Sequence, residues 1–201
     1  AGFPSIHGSG GNSCILHYIS NRRMFEENDL LVSDIGAEYH GYTADVTRTL
    51  PVNGKYSVEQ ALIYNLVLKA QSAGIDSCIA GNSFWIAGRI ANTIIAEGLV
   101  QLGIIKNEAE VKKYFPHGTS HYLGLDVHDV GNYGTLQPGQ IITVEPGIYI
   151  PADSDCDPKW WNIGVRIEDD ILITSGEPEN LSDCVPRTIP EIEALMATKK
   201  D

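Results

Sequence analysis

Four strand-like segments each carry an acidic residue among apolar neighbours: Asp34 in "DLLVSDIGAEY", Asp45 in "GYTADVTRTLPV", Glu145 in "QIITVEPGIYI" and Glu168 in "IGVRIEDDILIT". β-branched and aromatic residues make these segments strands, and carboxylates are poor company for them. A lone acid of this kind is ordinarily an edge or solvent-facing residue. The spacing argues otherwise. If the first two segments form a hairpin turning at Tyr39–His40, paired residues sum to 79, and so do Asp34 and Asp45. In the second pair Glu145 and Glu168 sum to 313, as do Ile150 and Ile163, which bracket the loop "PADSDCDPKWWN". Each hairpin then sets two carboxylates side by side on one face. Facing like charges raise one another's pKa and destabilise the pair unless a cation lies between them. A metal centre is the expectation.

Between the strand pairs lie two helices. "SVEQALIYNLVLKAQSAG" opens with a capping box, Ser57 and Gln60, and Gly74 offers a stop. "SFWIAGRIANTIIAEGLVQLG" runs from Ser83 to Gly103, with Ile90, Ile94 and Leu102 among its apolar positions. Hairpin, two helices and strands again is an α+β plan: a curved, mostly antiparallel sheet with helices on its outer face. The 201 residues suit one domain over 1–201. A formal charge of −12 without a basic cluster disfavours nucleic acid, and the lack of a long apolar run disfavours a membrane. The start, "AGFPSIHGSGGNS", carries no signal-peptide pattern. Cys14, Cys78, Cys156 and Cys184 form no C-x-x-C pair, so reduced, mostly buried thiols in a cytoplasmic protein are expected.

"HGTSHYLGLDVHDVG", residues 117–131, concentrates His117, His121 and His128. Gly118 and Gly124 argue for loop and strand there rather than helix. Carboxylates favour hard ions such as Mn²⁺, Mg²⁺ or Ca²⁺, and one added imidazole shifts the choice toward a transition ion. Four carboxylates and a histidine exceed one tetrahedral zinc and suit two ions bridged by carboxylates and a hydroxide. One histidine then binds metal and the others handle substrate.

The stretches "DIGAEYHGYTADVTRTLPVNGKYS", "HGTSHYLGLDVHDVG", "ITVEPGIYI" and "GVRIEDDILIT" resemble the catalytic domain of the Xaa-Pro aminopeptidases, which has the pita-bread fold of the creatinase/aminopeptidase group. The likeness runs in order from about Asn12 to Met196. It implies that Asp34 chelates one ion and His121 and Glu145 the other, with Asp45 and Glu168 bridging. It implies two divalent ions, manganese first, with cobalt, zinc or iron as alternatives. The implied reaction is hydrolysis of the bond between an N-terminal residue and a following proline, by a metal-bridging hydroxide with Glu145 as proton shuttle. His17, His117 and His128 would hold the scissile peptide and stabilise the tetrahedral intermediate. Arg166 would bind substrate or anchor the ligand strands, and Tyr149 would line the pocket wall. The partner implied is a peptide with proline second, and a homo-oligomer is among the expectations.

Taken alone, His17 and His128 could be core histidines, Arg166 could pair with Asp169, and Trp160–Trp161 could be rim packing or a substrate wall. By the same resemblance, residues 57–103 supply one of two helix pairs; the first pair and an N-terminal domain are expected to be missing, leaving apolar sheet surface bare or covered by a partner chain. A prolidase acting on Xaa-Pro dipeptides and a non-catalytic pita-bread binding module are the alternatives. Methionine aminopeptidase and metal-free creatinase chemistry fit the motifs less well.

Overall fold

Residues that favour strands occupy both ends of the chain and helix formers its middle. The computed structural model, which describes residues 1–198, follows that division; 199–201, the end of the expected domain, lie outside the described residues. In chain order the strands are β1 (Ile6–Ser9), β2 (Leu30–Ile35), β3 (Glu38–Tyr39), β4 (Tyr42–Thr43) and β5 (Val46–Pro51). Helices α1 (Val58–Asp76) and α2 (Ile86–Gln101) follow, then β6 (Ile141–Val144), β7 (Gly147–Ile150), β8 (Ile163–Arg166), β9 (Asp169–Leu172), β10 (Glu179–Asn180) and α3 (Ile189–Ala197). Strand orders are β1-β2-β5 and β10-β9-β6, with β3–β4 and β7–β8 as the outer parts of the two long hairpins. Every pairing between these strands is antiparallel.

The second hairpin has the expected register throughout: Ile150 faces Ile163, Gly147 faces Arg166 and Val144 faces Asp169. The first does not. Tyr39 pairs with Tyr42 and Asp34 with Thr47, so paired residues sum to 81 rather than 79. The cause is the turn. His40 and Gly41 both adopt positive φ, 53° and 87°, as a two-residue loop of matching twist requires. A slip of two leaves every side chain on its expected face, whereas a slip of one would have inverted them. Asp34 and Asp45 are therefore diagonal neighbours on one face, not directly opposed.

Helix α1 begins with the expected capping box at Ser57 but does not stop at Gly74. It runs two residues further because Gly74 packs against the sheet: a Cβ there would come within 3.2 Å of Val144 Cγ1 and 3.5 Å of Ala87 Cβ. Helix α2 starts at Ile86 rather than Ser83, which pairs with Thr135, and Gly103 ends it with a φ of 70°. Its most deeply buried stripe is Ala87, Ala91, Ile95 and Leu99. Small residues there let α2 lie close against α1. Both helices cover the outer face of the second hairpin, burying Ile148, Ile150, Val165 and Ile167 in one cluster and Ile142, Val144 and Ile171 in the next.

Among the described residues the outer face of the first hairpin has no such cover. Ile35 is 48% exposed, and with Val46 and Leu50 it lines a groove of about 410 Å³ closed on one side by Leu195 and Met196 of α3. α3 went unpredicted, although Thr188 and Glu191 form a capping box there. Trp160 is buried in the main core and Trp161 packs on it, so neither forms a substrate wall. No disulfide joins the cysteines; only Cys78 is fully buried, and Cys184 is exposed, contrary to the expectation of mostly buried thiols. Among the described residues no helix is long and apolar enough to cross a membrane.

Candidate metal centre

Three of the four acids sit where their strands are interrupted. Asp45 precedes β5, and its N–H donates to Asp170 Oδ2 at 3.1 Å instead of to a ladder partner. Glu145 follows β6, where Pro146 supplies no N–H, and donates its own to the Thr119 carbonyl at 2.8 Å. Glu168 lies between β8 and β9 and donates its N–H to the Thr47 carbonyl at 3.1 Å. Only Asp34 lies within a regular strand, β2. The two hairpins thus meet along a seam in which side chains and carbonyls from outside the regular ladders serve as partners, and Thr49 Oγ1 serves both the N–H and the carbonyl of Arg166.

The ten candidate ligand, catalytic and substrate-binding residues border one cavity of about 280 Å³: Asp34, Asp45, His121, Glu145, Glu168, His17, His117, His128, Tyr149 and Arg166, together with Leu16, Gly118 and Ser120. His121 Nε2 lies 3.5 Å from Asp45 Oδ2, 3.5 Å from Glu145 Oε1 and 3.8 Å from Glu168 Oε1. Its Nδ1–H donates to the Tyr122 carbonyl at 3.0 Å, which leaves the Nε2 lone pair directed at the carboxylates. Ligand atoms of Asp45, His121 and Glu168 all fall within 4.8 Å of one another. Asp34 borders the same cavity, but its Oδ2 accepts from Arg166 Nη2 at 2.7 Å. Asp34 Oδ1 and Asp45 Oδ1 are buried without a hydrogen-bond partner among the described residues. Buried carboxylate oxygens lacking donors, beside an imidazole of fixed tautomer, are a donor set that fits divalent cations.

The electrostatics agree. Burial pushes the Asp45 carboxyl up to about 6 and that of Glu145 up to about 7, even with His121 drawing both down. Burial, then Glu145, Asp45 and Asp34, raise Glu168 well above the usual carboxylate range. On His121 burial is the largest influence and favours the neutral ring, but Asp45 and Glu145 outweigh it and its pKa rises. Such mutual repulsion is what an inserted cation relieves.

His17 and His128 are exposed at the cavity, not core histidines; the His128 ring stands 4.4 Å from that of His121, edge to face. His117 is more enclosed. Its Nδ1–H donates to the Gly118 carbonyl at 2.6 Å and Nε2 meets the Tyr149 hydroxyl at 2.9 Å. Burial pushes its pKa down to about 4, so the ring is neutral. Tyr149 is buried in the cavity wall, and its hydroxyl also accepts from Arg166 Nη1 at 3.1 Å. A side chain at Gly147 would collide with that hydroxyl. Arg166 does not pair with Asp169. Strand alternation puts Asp169 on the helix side, where it is buried against Arg48, Gln71 and Arg187. Buried polar residues of the seam escaped the sequence reading, Thr47, Arg48, Thr49 and Asp170 among them, because their partners lie more than a hundred residues away.

The model of metallopeptidase family M24 matches residues 1–175. A Haemophilus influenzae Xaa-Pro aminopeptidase is 46% identical, over 96% of this chain and 48% of its own length. The Escherichia coli Xaa-Pro aminopeptidase is 44% identical, over 98% of this chain and 48% of its own length. The solved structure of zinc-substituted E. coli aminopeptidase P in complex with product superposes with a TM-score of 0.95 at 44% identity, covering 99% of this chain and 48% of that one. The chain therefore has the pita-bread fold, and it spans about half the length of the curated relatives it matches.

Proposed function

Because the chain belongs to metallopeptidase family M24, we propose that residues 1–201 form the catalytic domain of a metal-dependent exopeptidase that cleaves between an N-terminal residue and a following proline. The observation that carries this reading is His121 Nε2, faced at 3.5–3.8 Å by carboxylates from both hairpins. Asp34 would hold one of two divalent ions, His121 and Glu145 the other, and Asp45 and Glu168 would bridge them. The oxygen-rich donors favour manganese. Bound there, the ions supply Lewis-acid chemistry, polarising a peptide carbonyl and acidifying water.

The remaining steps fall to side chains. Glu145, at the cavity beside His121, takes the proton of the attacking water and returns it to the leaving nitrogen. His17 and His128, exposed at the cavity, hold the substrate peptide. His117 stays neutral and is oriented by Gly118 and Tyr149 for contact with the scissile group. Arg166, which borders the cavity, fixes Asp34 and Tyr149. Four unpaired thiols support a reducing, cytoplasmic setting.

The test is hydrolysis of a tripeptide with proline second, by protein stripped of metal and reloaded with Mn²⁺. Release of the first residue, lost with chelator and restored by Mn²⁺, is expected, with slower cleavage of an Xaa-Pro dipeptide. Preference for the dipeptide favours a prolidase. Metal binding without cleavage of either leaves the non-catalytic module.

A further inference from the structure

We propose that Thr47 is a positioning residue that sets which oxygen of Glu168 is presented to the metal centre. Thr47 lies on the cavity face of β5, directly opposite Asp34, and is 0% exposed. Its hydroxyl has two partners, and their chemistry fixes its direction. Arg166 Nε, 3.3 Å away, can only donate, so the hydroxyl oxygen accepts there. The single hydroxyl proton is then free for Glu168 Oε2, 2.6 Å away, the length of a charge-assisted bond. That contact leaves Glu168 Oε1 as the oxygen facing His121 Nε2 at 3.8 Å.

A glutamate side chain has several rotatable bonds, and an unanchored one samples many rotamers. Here the anchor is double. The Thr47 carbonyl accepts the Glu168 N–H at 3.1 Å while its hydroxyl holds the carboxylate. Because Arg166 also donates to Asp34, one hydroxyl links acids contributed by both hairpins. With Thr47 fully buried, water has no room to replace it, so removing the hydroxyl leaves Glu168 Oε2 and Arg166 Nε each short of a partner. A purely structural role would ask only for a β-branched shape in a strand, which valine meets as well.

This inference rests on the metal reading above. The test titrates Mn²⁺ into metal-stripped wild-type protein, Thr47→Val and Thr47→Ser by calorimetry, with circular dichroism and the metal-free melting temperature alongside. Thr47→Val is expected to fold and to bind Mn²⁺ roughly 10–100-fold more weakly, the usual cost of losing a partner of a metal ligand. Thr47→Ser, which keeps the hydroxyl, is expected to stay within about threefold of wild type on the same scale. Thr47→Ala carries the same expectation as valine if the latter does not fold. Wild-type affinity in the hydroxyl-free variants overturns the proposal, as does equal weakening in serine and valine, which would make shape the cause. Failure of the wild-type protein to bind Mn²⁺ overturns the metal reading itself, and Thr47's role with it.

Discussion

The two long hairpins turn similar acidic faces toward one cavity, yet their opposite faces are held in different ways. Behind β6–β9 lie α1 and α2, and Ile148, Val165, Ile167 and Ile171 are wholly buried there. Behind β2–β5 lies an open groove, with Ile35 exposed and Val46 and Leu50 half-buried. The second hairpin thus rests on apolar packing. The first depends far more on the polar seam: Arg48 donates to the carbonyls of Thr47 and Glu168 and pairs with Asp169, while Thr49 clasps the backbone of Arg166. Matching the acids required no matching of the supports.

Equality of the two acidic faces is tested first. Asp45→Ala and Glu168→Ala, one from each hairpin, should each cut turnover by more than the roughly 100-fold cost of an outer-shell loss, with metal binding lost in parallel. Metal-free Asp45→Ala should be no less stable than its parent, since a buried like charge has been removed. Near-normal turnover in either variant would break the symmetry. Denaturant unfolding tests the outer faces. Ile148→Ala should cost about 2–5 kcal/mol as a buried truncation, while Ile35→Ala should stay within about 1 kcal/mol. Similar costs would show that something covers the groove in solution.

Stability against pH sharpens the contrast further. Asp45, Glu145 and Asp170 keep their protons up to about 6, 7 and 7, above the ordinary carboxylate value near 4. Between about pH 4 and 7 the metal-free native state therefore binds more protons than the unfolded chain, and stability falls as pH rises through that window. His117, depressed to about 4, works the other way, losing stability as pH falls below about 6.5. Glu168 and His121, also raised, add to the three acids, and His128, lowered by burial, adds to His117; the raised groups prevail. The metal-free melting temperature should drop from pH 5 to pH 7.5, and the metal-loaded one should not, because ligands must be deprotonated to bind. The most local effect is that of Gly41→Ala, which at a φ of 87° should cost about 1–2 kcal/mol and leave metal affinity unchanged.

How far the chain could be read in advance follows from the range of the forces involved. Acids in strands stand out because strand propensity and desolvation are local, so the ligand candidates and their shared face were legible. The second register was legible because the isoleucines at 150 and 163 bracket the loop. The first was misjudged by two because the left-handed pair is His40–Gly41, one place later than a turn centred on Tyr39–His40. Helix α1 overran Gly74 because Val144 and Ala87 want no side chain there, a tertiary demand invisible in the helix itself. Non-local polar contacts, Thr47 with Glu168 and Asp170 with Asp45, leave no periodic trace in the sequence.

The most direct measurement is anomalous diffraction from crystals soaked in Mn²⁺. Two peaks are expected in the 280 Å³ cavity, within roughly 2.0–2.3 Å of donors from Asp34, Asp45, His121, Glu145 and Glu168. A cavity without manganese, or manganese bound only elsewhere on the chain, would contradict the convergence of these side chains on a shared pair of cations.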